Sequence, residues 1–152
     1  EATFEDSFQA LRANHAFADD EGEIRVRSGD RIPGIPQHQF KLSSDYQFSS
    51  GLSLGLDILS NGNQVLRGDE SNQLDEVSGY TMVSLRARYS VNEKLEVFAK
   101  IDNLFDREYE SFGLLGEEPA ELEVPIIEDL TKPVFLGAGA PRAAFLGLRY
   151  NF

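Results

Sequence analysis

Five stretches of this chain alternate apolar and polar side chains with a period of two, which commits them to β-strands with one oily and one wet face. From His38 to Phe48 the oily face carries Phe40, Leu42, Ser44, Tyr46 and Phe48, against Gln39, Lys41, Ser43, Asp45 and Gln47 on the other. Between Leu52 and Ser60 it carries Leu52, Leu54, Leu56 and Ile58; between Tyr80 and Val91 it carries Thr81, Val83, Leu85, Ala87, Tyr89 and Val91. Leu95, Val97, Ala99 and Ile101 continue the pattern, and the ending RAAFLGLRYNF closes it with Ala144, Leu146, Leu148, Tyr150 and Phe152 against Gly147, Arg149 and Asn151. A stub at Glu1–Phe4 reads as the tail of one more strand.

Alternation alone fits a soluble antiparallel sandwich as well as a membrane barrel, because each has one face hidden from water. The connections separate the two. Ser49-Ser50-Gly51 and Asn92-Glu93-Lys94 have the length of tight antiparallel turns, whereas 5–37, 61–79 and 106–141 are long, polar and rich in Gly, Pro and acid. A compact soluble domain rarely carries three such loops at one end; short turns at one end and long loops at the other are the layout of an outer-membrane barrel. Aromatic placement agrees. Tyr46, Phe48, Tyr89, Tyr150 and Phe152 all fall at the strand ends that share the short-turn rim, where a periplasmic aromatic girdle belongs. The oily faces carry no charge, as a bilayer requires. The expected fold is therefore all-β: an antiparallel up-and-down transmembrane β-barrel, represented by its last five to six strands, with short periplasmic turns and long extracellular loops.

Charge and composition remove other classes of function. With 26 acidic against 14 basic residues the 152-residue chain carries a net charge of -12, which leaves no basic surface for nucleic acid. There is no Cys, so disulfides and thiolate sites are out. The mean hydropathy of -0.33 does not distinguish a sandwich from a barrel, and no run approaches the roughly 18 apolar residues of a membrane helix. The opening EATFEDSF has no initiating Met and no secretion-signal pattern.

RIPGIPQHQFKLSSDYQF (31–48), LRGDESNQ (66–73), GYTMVSLRARYSVNEKLEVFAKIDNLFDREYESFG (79–113) and FLGAGAPRAAFLGLRYNF (135–152) together resemble the C-terminal end of the barrel in TonB-dependent outer-membrane receptors. The most specific pieces are NLFDREY and the GAPR-x-x-x-x-G-x-R-Y-x-F ending. The resemblance covers most of the chain apart from loop interiors. It implies import of a scarce nutrient, most often a ferric siderophore, across the outer membrane of a Gram-negative bacterium. Energy would come through TonB, delivered to a plug inside a barrel of about 22 strands. Plug, TonB-contacting segment and earlier strands are absent here, so residues 1–152 are expected to be the C-terminal part of the barrel domain. Five or six strands cannot close, and an open edge facing lipid would leave unpaired backbone groups in hydrocarbon. Ala144, Leu146, Leu148, Tyr150 and Phe152 resemble the C-terminal signal read by the barrel-assembly machinery. Expected partners are outer-membrane lipid, the missing plug and strands, TonB, that machinery and a ferric siderophore or similar ligand.

A search for reactive chemistry finds little. His15 and His38 have no neighbouring His or Cys to share a metal, and no nucleophile, base and acid arrangement is visible. LGAGAP (136–141) lacks the Lys and helix of a phosphate loop and reads as a flexible approach to the last strand. The 106–141 connection holds nine carboxylates against Arg107 and Lys132, without calcium-loop spacing. It reads as a solvated loop, or as part of a gate over a ligand vestibule. Lys41, Asp45, Asp57, Arg86, Arg88, Glu96, Lys100, Asp102 and Arg149 alternate in sign on the wet faces, where neighbouring strands can pair them. No catalytic residue, cofactor, metal site or ligand-binding residue is assigned, and the protein is expected not to be an enzyme. The alternatives are a secreted or surface β-sheet binding module recognising its target through acidic loops, and a complete small outer-membrane barrel.

Overall fold

A computed structural model describes residues 6–10, 17–116 and 134–152. These residues hold nine strands: β1 (Asp6–Gln9), β2 (Glu23–Val26), β3 (Gln39–Gln47), β4 (Leu52–Asn61), β5 (Tyr80–Ser90), β6 (Leu95–Asp102), β7 (Glu110–Leu115), β8 (Val134–Ala138) and β9 (Ala143–Tyr150). The chain divides into two compact units, one of 38–62, 79–109 and 139–152, the other of 1–37, 63–78 and 110–138.

The first unit is a five-stranded antiparallel sheet in the order β3-β4-β5-β6-β9, and its strands are those the alternation predicts, to within about two residues at each end. Register aligns the oily positions into continuous rows. Tyr46 pairs Leu54, Leu54 pairs Ala87, Ala87 pairs Ala99 and Ala99 pairs Leu146. The next row runs Ser44, Leu56, Leu85, Ile101 and Ala144. Since side chains alternate along every strand, one correct row puts all oily positions on one face.

Both short connections are tight for identifiable reasons. In the first, the Phe48 N–H donates to the Leu52 carbonyl at 2.7 Å, and Gly51 takes a φ of 84°, a left-handed value that glycine adopts without steric cost. In the second, Asn92 Oδ1 accepts the N–H groups of Lys94 and Leu95, both at 2.9 Å, an Asx turn that adds to the backbone bond from the Val91 N–H to the Leu95 carbonyl at 2.9 Å.

The second unit differs from expectation. The long connections are not simple loops: β1 pairs β2, β7 pairs β8, and isolated bridges join Gln64 to Val77 and Arg67 to Leu114. Its core is small, with Ile24, Val65, Leu66 and Val77 buried. Gly113 sits where a Cβ would stand 2.6 Å from Val77 and 3.2 Å from Leu66, so the absence of a side chain lets β7 approach this core. The stub at 1–4 and the acidic stretch 117–133 lie outside the described residues.

Asp69, fully buried, organises the 66–77 segment. Its two carboxylate oxygens accept the N–H groups of Gln73 (2.9 Å) and Leu74 (2.8 Å). Removing them by Asp69→Ala strands two backbone donors and should cost about 1–3 kcal/mol locally. Hydrogen exchange is expected to lose protection at Gln73 and Leu74 while β4 and β5 amides keep theirs. Unchanged protection would show that the carboxylate is dispensable.

Candidate functional site

The sheet offers two faces of opposite character. Its apolar face is extensively exposed: Leu146 at 79%, Leu148 at 71%, with Phe40, Leu42, Leu54 and Leu85 also open. No Asp, Glu, Lys or Arg stands on the rows of this face; its non-aromatic polar side chains are the hydroxyls of Ser44, Ser60 and Thr81, the last two within 2.8 Å of each other, so its removal from water carries no cost of burying charge. At the short-turn rim Tyr89 lies opposite Leu52 and Tyr150 opposite Leu95, and Tyr46 and Phe48 contact edge to face at a centroid distance of 4.7 Å. Phe152 lies past the end of β9, fully exposed, 5.3 Å from the Tyr150 ring centroid. Ala144, Leu146, Leu148 and Tyr150 line up along the apolar side of β9, each opposite an apolar residue of β6.

The wet face is an ion-pair lattice. Arg86 donates from Nε to Asp57 Oδ2 (2.7 Å) and from Nη2 to Asp57 Oδ1 (3.1 Å), and reaches Asp45 Oδ2 at 3.3 Å. Gly55 is what lets it pass: a Cβ there would stand 2.6 Å from Asp45 and 3.0 Å from the guanidinium carbon. Nearer the short-turn rim the stoichiometry inverts, with Glu96 shared by Arg149 (3.3 Å) and Arg88 (3.6 Å). Lys100 pairs Asp102 within its own strand at 2.8 Å. A shallow concavity of about 600 Å³ lies against these groups. The charged residues that sequence alternation places on the wet face are thus largely paired across strands, one Arg between two Asp and one Glu between two Arg.

The four quoted sequence segments meet as two clasps. In the sheet unit, NLFDREY grips the GAPR approach to β9. Asn103, buried and at a φ of 50°, donates from Nδ2 to the carbonyls of Arg107 (2.9 Å) and Ala140 (3.1 Å) and accepts the Arg107 N–H on Oδ1 (2.9 Å). Asp106, at a φ of 53°, accepts the Arg142 N–H (3.1 Å) and pairs with its guanidinium (3.3 Å). Tyr109 accepts the Ala140 N–H on its hydroxyl at 3.2 Å and stacks on Tyr80 at 4.2 Å. Its ring covers Gly139, whose Cβ would lie 2.2 Å away. The glycine-rich 136–141 segment is therefore pinned, contrary to the flexible approach expected from its composition: it contains the end of β8 and the held residues Gly139 and Ala140.

In the loop unit LRGDESNQ grips RIPG. Asn72, at a φ of 53°, accepts the Arg31 N–H (2.7 Å) and donates to the Arg31 carbonyl (3.0 Å), while the Arg31 guanidinium pairs with Glu76. The Gly34 N–H reaches the Val65 carbonyl at 2.9 Å. In the β1–β2 connection, the N–H of Glu23, reinforced by the N–H of Glu21 and by Arg25, holds the Asp19 carboxyl below the usual carboxylate range. Sequence reading assigned no role to Asn72, Asn103 or Asp106. The available signal was an Asn or Asp in a connection, the residue types that tolerate a left-handed backbone.

Neither clasp has the arrangement of a reactive centre. Among the described residues no three His, Cys, Asp or Glu side chains converge as a metal site. The geometry can hold backbone, pair charge and present an apolar wall.

The model of the TonB-dependent receptor-like β-barrel matches residues 1–104, about two thirds of the chain. The chain belongs to the TonB-dependent receptor β-barrel family. The family model and the curated relatives are those of receptors, not enzymes. Among curated proteins it is similar to the metal-pseudopaline receptor of Pseudomonas aeruginosa, with 32% identity over 107 residues, 66% of this chain and 15% of the relative. It is also similar to the ferric-pyoverdine 358 receptor of Pseudomonas putida, with 28% identity over 82% of this chain and 13% of the relative. The chain therefore spans about one seventh of the length of these relatives. Solved structures share the fold. The siderophore receptor of Acinetobacter baumannii superposes with a TM-score of 0.62 at 17% identity, covering 88% of this chain and 16% of that one. The ferric yersiniabactin uptake receptor of Yersinia pestis gives 0.60 at 21%, covering 82% and 18%. The expected fold class stands: an all-β, antiparallel portion of a receptor barrel.

Proposed function

We propose that residues 1–152 are the C-terminal part of the barrel domain of an outer-membrane receptor, and that the whole protein imports a ferric siderophore or a similar bulky metal chelate, energised through TonB. One observation carries the membrane reading: five strands in unbroken register leave one face without charge, mostly apolar and with many of its large side chains exposed. Outer-membrane lipid is the partner that suits such a face, and the girdle of Tyr46, Phe48, Tyr89, Tyr150 and Phe152 would sit at the periplasmic headgroup level. The β3 and β9 edges would pair with earlier strands of the same protein, since unpaired edges are not tolerated in hydrocarbon. The wet face would look into the barrel, towards the plug through which TonB acts. The substrate class follows the relatives, named for metal-pseudopaline and ferric pyoverdine.

The direct test deletes the gene and measures uptake of radiolabelled metal from a panel of ferric siderophores and metallophores. Loss of uptake for at least one chelate, restored by the intact gene and not when TonB is absent, is expected. Unaltered uptake of every chelate would overturn the transport reading.

The ending is proposed as the signal for the barrel-assembly machinery, on residues Ala144, Leu146, Leu148, Tyr150 and Phe152. Deleting Phe152 from the full-length protein should lower the amount recovered, folded, in the outer membrane. Equal recovery would sink that assignment.

A further inference from the structure

We infer that, beyond the clasp on Ala140 and Arg142, the register of β9 on β6 is selected by four of the side chains facing each other across the two strands, Glu96, Phe98, Gly147 and Arg149 on the wet face, and not by the apolar residues that hold β9 against its environment. The apolar side cannot choose. On β6 it presents Leu95, Val97, Ala99 and Ile101, and on β9 Ala144, Leu146, Leu148 and Tyr150. A slip by two residues returns every side chain to its own face and again sets apolar against apolar. Oily alternation is blind to that error.

The wet side does choose. In the observed register Glu96 stands opposite Arg149, with a 3.3 Å ion pair, and Phe98 stands opposite Gly147. The fit of the second pair is strict: the Phe98 ring lies over the glycine so closely that a Cβ on Gly147 would be 2.2 Å from it. Slipping β9 by two residues one way would put Arg149 opposite Phe98 and Phe145 opposite Asp102, and would leave Glu96 facing Asn151. Slipping it the other way would put Phe145 opposite Phe98, Arg149 opposite Lys94 and Glu96 opposite Gly147. The first slip separates the ion pair and buries the acid at 102 under a ring. The second sets two rings in one slot and two cations against each other. Only the observed register gives the ring a glycine and gives Glu96 a second guanidinium, that of Arg149, beside that of Arg88.

The same register also sets the Asn151 N–H on the Lys94 carbonyl at 2.9 Å, at the short-turn rim.

Cysteine pairs on the apolar face of the full-length receptor read the register directly. A99C/L146C joins residues that are opposite in the observed register, whereas A99C/A144C and A99C/L148C become opposite only after a slip; diagonal neighbours lie too far apart for an efficient disulfide. In otherwise native protein only the first pair should oxidise. Phe98→Ala, which creates no clash and need not prevent folding, should give the slipped pairs a measurable share of cross-linking. Gly147→Phe should abolish the A99C/L146C cross-link, and the exchange F98G/G147F should restore it. Cross-linking confined to A99C/L146C in both F98A and E96Q/F98A would overturn the inference. So would an exchange variant no better than G147F alone, since the ring and glycine would then not be acting as a pair.

Discussion

Replacing Asn103 by alanine should destabilise the folded receptor by about 2–4 kcal/mol, one of the largest effects of any single substitution outside the apolar face. Asn103 is buried, holds through a single amide the carbonyls of Arg107 and of Ala140, the latter 37 positions further along the chain than Asn103, and accepts one N–H in return. Alanine removes the donor and the acceptor together and adds the cost of a left-handed backbone at a φ of 50°. The two components separate experimentally. Asn103→Gly relieves the backbone and should recover only about 1 kcal/mol, whereas Asn103→Asp keeps the acceptor for Arg107 but loses both donations. The urea midpoint of the full-length protein refolded in detergent measures all three. A midpoint unmoved by N103A would show that the 103–107 turn holds the approach to β9 without this residue.

That residue also shows where reading from sequence runs out. The strands β3, β4, β5, β6 and β9 were legible because each must satisfy two different surroundings at once, and a period of two is the only way a strand can do so. Phe98 and Phe145 already depart from the pattern, being aromatic residues on the wet side. Phe98 is explained only by Gly147, a partner 49 positions away that no local pattern points to. The hairpins β1–β2 and β7–β8 were not legible for a related reason. Their core is assembled from Ile24, Val65, Leu66 and Val77, which come from separate segments, and neither EIRV nor ESFGLL alternates regularly enough to declare a buried face. The quoted segments were visible as a resemblance, but not what they touch. NLFDREY and GAPR mean one thing as two strings and another once Asn103 and Asp106 are found holding Ala140 and Arg142. Turn residues such as Asn and Asp announce a left-handed backbone; the identity of the segment they capture is a property of the fold.

The apolar wall leads to a comparison in which depth, rather than burial, decides the outcome. Leu85 lies opposite Leu56 and Ile101, in the middle of the sheet, while Tyr89 lies four residues closer to the short-turn rim on the same face. Ser84 is the adjacent position on the other face, opposite Asp57. If the face meets lipid, Leu85→Arg should cost about 2–4 kcal/mol and Tyr89→Arg about 0–1 kcal/mol, because a guanidinium near the interface reaches headgroups and water. Ser84→Arg should be nearly neutral, within about 0.5 kcal/mol, since it adds a cation to a wet face with a carboxylate opposite. In a soluble sandwich the ordering would instead follow how much of each side chain a second sheet covers, and not its distance from the short-turn rim. Folding free energies of the three full-length variants in phospholipid vesicles distinguish the cases. A Tyr89→Arg cost equal to that of Leu85→Arg would remove the bilayer from the explanation of this face, and with it the reason for its uncharged rows.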